Sequence, residues 1–180
     1  MGSSGSRQGL TVARRRARSL TGSVMAALFA QALGLWGLPA FASSCNPGTV
    51  DIRGPGGRAQ FSVELAETPD QQQIGLMYRE HMPSSAGMLF VFERPKRAGF
   101  WMRNTLIPLD MLFADSTGRI TRVHANAIPH DETLIDGGEG VKFVLEINGG
   151  LSARLGIRAG AEMRHPSIEP STAAWPCAED

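Results

Sequence analysis

Two acidic residues interrupt runs that otherwise read as protein core. Asp110 lies between Leu109 and Met111, and Glu146 between Leu145 and Ile147. An ionised carboxylate inside an apolar run is costly unless it is paired or hydrogen-bonded. Each acid therefore marks either a polar network or a site. Arg79, Arg103 and Asn104 are the nearest candidate partners of Asp110 by motif. With the neighbouring aromatic residue, the set Arg79, Trp101, Asn104, Asp110 and Glu146 forms a candidate ligand pocket. Two carboxylates with pKa values pushed apart would also serve acid–base chemistry. The competing readings are a structural network and, for Glu146, an outward-facing strand position. Asp110 is expected to be buried and held by Arg79, Asn104 or nearby backbone N–H groups.

Other chemistries find no pattern to rest on. His81, His124, His130 and His165 are scattered, with neither H-x-H nor H-E-x-x-H spacing, so no metal site is predicted. No serine sits in a G-x-S-x-G elbow. No phosphate loop or dinucleotide fingerprint is present, and no cofactor is implied. Met77, Met82, Met88, Met102 and Met111 offer soft thioethers of the kind that bind Cu(I). They lack close pairing and stand among Leu, Phe and Trp, which predicts core filling.

The elements that must position these residues are mostly short strands. Ser43 to Arg58 reads as a glycine- and proline-rich loop around a short strand at Thr49–Arg53. In Ala59–Leu65, Phe61, Val63 and Leu65 alternate with Gln60, Ser62 and Glu64, as in a half-buried strand. Thr68-Pro69-Asp70-Gln71 then opens a short helix, with Thr68 as N-cap and Gln71 closing a capping box. Ile74, Met77 and Tyr78 would share one helical face. Gly87–Phe92 reads as a strand buried on both faces and Pro95-Lys96-Arg97 as a polar turn. Further strands are expected within Leu106–Ala114 and at Arg119–Ile128, Val141–Ile147 and Ile157–Arg164. Asp131 to Gly140 reads as a loop. Gly149–Leu155 reads as one or two helical turns closed by Gly156. The regular strand spacing predicts a mainly β domain, an antiparallel sandwich or barrel with one or two short helices.

The first 42 residues differ from the rest. They hold Arg7, Arg14, Arg15, Arg16 and Arg18 and no acid, then an apolar run from Leu20 to Leu38, then Ala40-Phe41-Ala42. A basic start, an apolar middle and a small-x-small end are the parts of a signal peptide cleaved after Ala42. An uncleaved anchor is the alternative, and would be the only membrane attachment. Export to the periplasm or medium is the expected localisation. Cleavage leaves 13 basic residues against 17 acidic ones, changing the net charge from +1 to near −4 and arguing against a nucleic-acid partner. The two cysteines, Cys45 and Cys177, are expected to form a disulfide in an oxidising compartment. Lipidation of Cys45 is the alternative, though Ala42-Ser43-Ser44 makes a poor lipobox.

Several strings occur together and in order: Gly75-Leu76-Met77-Tyr78-Arg79, Gly87–Phe92, Phe100-Trp101-Met102-Arg103-Asn104-Thr105-Leu106-Ile107-Pro108-Leu109-Asp110, Val144–Gly150 and Leu155–Gly160. In this arrangement residues 59–165 resemble the family called domain of unknown function 192, followed by a tail at 166–180. The resemblance implies a compact, jelly-roll-like β-sandwich or barrel, and it implies no activity. Two functions stay open. One is an exported, monomeric binding or accessory module of the cell envelope, holding a small molecule or peptide near Trp101–Asp110, or meeting an envelope protein. The other is a small hydrolase-like or carbohydrate-active enzyme using Asp110 and Glu146.

Overall fold

The computed structural model describes residues 45–177; the expected leader lies outside them. Local sequence fixes the first connection. After β1 (Thr49–Gly54) and β2 (Gly57–Ala66), Thr68 accepts a bond from the Gln71 backbone N–H. The Gln71 side chain in turn accepts from the Thr68 N–H, so the capping box forms and opens α1 (Pro69–Ile74). Gly75 ends the helix, and Tyr78 sits at φ 61°, so the expected face of Ile74, Met77 and Tyr78 does not form. Ile74 and Tyr78 are both exposed.

The chain then enters β3 (Ala86–Phe100), which runs parallel to β2. A parallel neighbour requires a crossover, and the stretch carrying α1 provides it. The remaining strands are β4 (Leu109–Ala114), β5 (Ile120–Ala127), β6 (Ile135–Asn148) and, after α2 (Leu151–Arg154), β7 (Glu162–Arg164). They form one mixed seven-stranded sheet of order β5-β4-β6-β3-β2-β1-β7, curled into a half-barrel. Strand spacing predicts an antiparallel sandwich or barrel and the family resemblance a jelly-roll-like one; the fold is mainly β, but it is a curled mixed sheet and not an antiparallel sandwich or jelly roll. Among the described residues every pairing is antiparallel except β2 with β3, and there is one sheet. At one end its edges meet: Arg119 bridges to Glu162, Ile120 N–H donates to the Ala161 carbonyl, and Gly160 N–H donates to the Ile120 carbonyl.

A segment expected as a turn and most of one expected as a loop, Asp131 to Gly140, are strand. Pro95-Lys96-Arg97 lies within β3 and Gly137–Gly140 within β6, where the ladder shifts register between Val91 and Lys96 and again by Gly99. Bulges absorb the irregular residues and bend both long strands. The strand expected over Ile157–Arg164 is shorter, limited to β7. Both faces of the sheet carry apolar core. The concave face packs Ile52, Phe61, Leu112, Phe143, Leu145 and Met163. The outer face packs Met88, Phe90, Met102, Met111, Phe113 and Val144, with Leu76 and Ile107 from the connections. Met82, Met88, Met102 and Met111 thus fill core, while Met77 is half-buried and lines a cavity. Cys45 and Cys177 are joined, with Cα atoms 5.5 Å apart, as the pairing predicted. Among the described residues no helix is long and apolar enough to cross a membrane.

Candidate functional site

Alternation along β6 turns Phe143, Leu145 and Ile147 to the concave face and Val144 and Glu146 to the outer one. In the ladder Glu146 stands opposite Met88 of β3 and Met111 of β4, neither of which has a side-chain donor to offer a carboxyl. The residue is 4% exposed. Every fully enclosed polar side-chain atom among the described residues has a hydrogen-bond partner. Glu146 has none, and its carboxyl opens instead on a cavity of about 540 Å³. Burial pushes this carboxyl up to about 8, so at neutral pH it is mostly the uncharged acid.

The cavity lies between α1 with the chain that follows it and the outer face of β3. Gln72 fastens α1 in place, its side-chain amide donating to the carbonyls of Ala66, Glu67 and Val91. Gly75, at φ 50°, lies so close to Phe90 that a Cβ would meet the ring at 3.1 Å. Phe90 packs edge-on against Phe100, and Phe100 against Phe113, at centroid distances of 5.1 and 5.8 Å. These contacts hold the aromatic wall rigid. Lys142 donates to the Phe92 and Glu93 carbonyls where β3 bulges. Lys96 places its ammonium 3.7 Å from the Phe92 ring centroid at the cavity wall. Arg97, also at the wall, is paired to Asp136 and Glu139.

Strained backbone gathers on the loops beside the cavity. Tyr78, Asn104 and His130 all have positive φ. Tyr78 N–H donates to the Asn104 carbonyl, the Asn104 amide donates to the Tyr78 hydroxyl, and His130 N–H donates to the carbonyls of Met102 and Thr105. Such conformations persist only where surrounding bonds impose them, and they concentrate at functional sites. The same loops expose Tyr78, Trp101, Leu106, Ile128 and Leu134.

The residues singled out in the sequence are therefore not one pocket. Glu146 and Trp101 line the cavity. Asn104 stands beside it, bonded to Tyr78. Arg79 forms a two-point pair with Glu64 at 2.6 and 2.9 Å. Asp110 lies on the opposite face of the sheet, opposite Ile147, and is fully buried. It accepts from the backbone N–H groups of Asn126, Gly150 and Ser152 and from the Ser152 hydroxyl, at 2.6–2.8 Å. These donors include the free N–H groups that open α2, whose N-cap is Gly150 and has no side chain to offer. Asp110 is thus held by backbone N–H groups, one of its expected partner types, and not by Arg79 or Asn104. Sequence reasoning missed Phe92 and Lys96 as cavity residues because Pro95-Lys96-Arg97 read as a turn.

Comparison with known proteins agrees with this architecture. A crystal structure of a protein of unknown function from Novosphingobium aromaticivorans DSM 12444 is 45% identical, with a TM-score of 0.63, covering 64% of this chain and 82% of that one. A Sinorhizobium meliloti 1021 protein described as a "putative transcription regulator" is 41% identical, with a TM-score of 0.66, covering 70% of this chain and 98% of that one. No curated protein matches the chain. The family model for DUF192, described as "Uncharacterized ACR, COG1430", matches residues 50–165, from the first strand to the end of the last, and the chain belongs to that family.

Proposed function

We propose that this domain is an exported small-molecule-binding module, and that its site is the cavity over Glu146. One observation carries the reading: a buried carboxyl with no partner among the described residues is turned into a 540 Å³ space walled by aromatic side chains. Apolar walls with a few convergent polar groups are the ordinary make-up of a ligand site. A protein gains nothing in stability from such a carboxyl, since burial without a partner is unfavourable. Exposed apolar side chains on the loops at the mouth extend the apolar surface offered to a ligand.

The two-carboxylate enzyme has less support, because Asp110 and Glu146 project from opposite faces of the sheet and cannot reach one bond. A small molecule is also favoured over nucleic acid by the 17 acids and 13 basic residues that remain beyond Ala42. Export is supported by the Cys45–Cys177 disulfide, which suits an oxidising compartment.

The site is tested by NMR titration with a mixture of small aromatic and aliphatic compounds. Shifts are expected at Phe90, Phe100, Trp101, Thr105 and Glu146. Changes confined to the surroundings of Asp110, or none at all, would reject the cavity as the site. Intact mass of exported protein should begin at Ser43.

A further inference from the structure

We infer that the group seated on Glu146 is an amine, so that the ligand is a primary amine with an apolar body. The inference rests on the cavity being the ligand site, and concerns what chemistry fits its floor. Glu146 is flanked by Met88 and Met111 and meets no donor from the protein among the described residues. A ligand entering the cavity can therefore bond it directly. An ammonium brings three N–H donors and a positive charge, a hydroxyl brings one donor, and a carboxylate brings none. The walls add to the preference. Phe90, Phe92 and Phe100 stand around the cavity, and ring faces attract cations. The Phe92 ring already holds the Lys96 ammonium at 3.7 Å. Lys96 and Arg97, both on β3, are the other titratable side chains lining the cavity. α1 contributes Gln72 and Gln73, and the loop after β3 contributes Trp101 and Thr105. Those two cations work against a positive ligand at the wall, so the floor, where Glu146 is the one acid of the lining, is the place for an ammonium.

Binding then exchanges protons with solvent in a defined direction. Below pH 8 the floor is the neutral acid, so an arriving ammonium leaves the carboxyl as carboxylate and sends its proton to bulk water. Amine affinity must rise with pH through this range. A neutral ligand that bonds to the protonated acid must show the reverse.

The probes are hexylamine, 1-hexanol and hexanoate, titrated into the full domain at pH 6 and pH 8 and followed by NMR shifts of Trp101 and Thr105. At pH 8 hexylamine should bind at least about tenfold tighter than hexanol. It should weaken about tenfold or more at pH 6, where a group titrating near 8 is almost wholly protonated. Glu146→Gln, which keeps shape and removes the charge, should erase both differences. The comparison among probes in the unaltered protein stands even if that variant fails to fold. Equal binding of amine and alcohol, or tightest binding of hexanoate, would overturn the amine while leaving the cavity as a site. No response to any of the three probes would overturn the cavity and the amine together.

Discussion

At the scale of single residues, Asp110 and Glu146 make opposite arrangements from the same functional group. Their strands are neighbours, but Asp110 pairs with Ile147 and Glu146 with Met111, an offset of one position that sends them to opposite faces. Asp110→Ala strands buried donors at the start of α2 and should lower stability by roughly 3–5 kcal/mol, read from urea melts. Asp110→Asn should cost nearly as much, about 2–4 kcal/mol, because its amide would point N–H at N–H. A melt unchanged by either would remove Asp110 from the structural framework. Glu146→Gln should act in the other sense. A carboxyl that titrates near 8 when folded and near 4.5 when unfolded lets the folded state hold the extra proton between those values. The contribution of this one group is then fullest below pH 4.5, falls as pH rises to 8, and loses on the order of 4 kcal/mol across the window. The variant should be the more stable protein at pH 8, with a flatter pH profile; parallel profiles would contradict the buried acid. Sequence made the burial of Asp110 legible, since apolar residues bracket it. Its partners were not, because Asn126, Gly150 and Ser152 are 16 to 42 positions away. For Glu146, the alternative of an outward-facing strand position follows from alternation, and the side chain lies on the outer face. Alternation alone does not tell that the outer face carries a core of its own.

The elements explain how that second core arises. A hairpin meander would leave the outer face to water, whereas the crossover bearing α1 lays Leu76 and Met82 across it. The capping box that opens α1 was plain in Thr68-Pro69-Asp70-Gln71, yet a helix of six residues gives no hint that the strands on either side run parallel. Bulges were the other hidden feature. Glycine and proline read as turns, but in β3 and β6 they bend long paired strands around the cavity wall. Gly137 shows the constraint: a Cβ there would meet the Phe113 ring at 2.3 Å. Gly137→Ala should therefore cost about 1–3 kcal/mol through overpacking. Gly138, at φ 87° with open space around it, should lose only about 1 kcal/mol as alanine, from backbone conformation alone. Denaturant midpoints of the two variants check the order; equal losses would mean that Phe113 yields freely.

For the whole molecule, the half-barrel closes through polar contacts and the C-terminal strap. Glu162 receives Arg53 and Arg119 where the sheet edges meet, and Asp51 receives Arg164. Trp175 lies under the guanidinium groups of Arg53 and Arg164, at 4.7 and 4.3 Å, while Ala174 N–H donates to Thr117. The strap is thus seated on the sheet before the disulfide is counted. Reduction should lower the free energy of unfolding by about 4–5 kcal/mol in the chain-entropy picture, because the bond spans 132 positions. A guanidinium midpoint that ignored reductant would show that the denatured chain gains nothing from release. The same bond decides how the domain answers to mechanical tension. A pull applied from outside Cys45 and Cys177 passes straight across two sulfur atoms and bypasses the sheet. Roughly 450 Å of contour stays locked away. While oxidised, the domain behaves under load as a short rigid link, and becomes extensible only when a reductant cuts it.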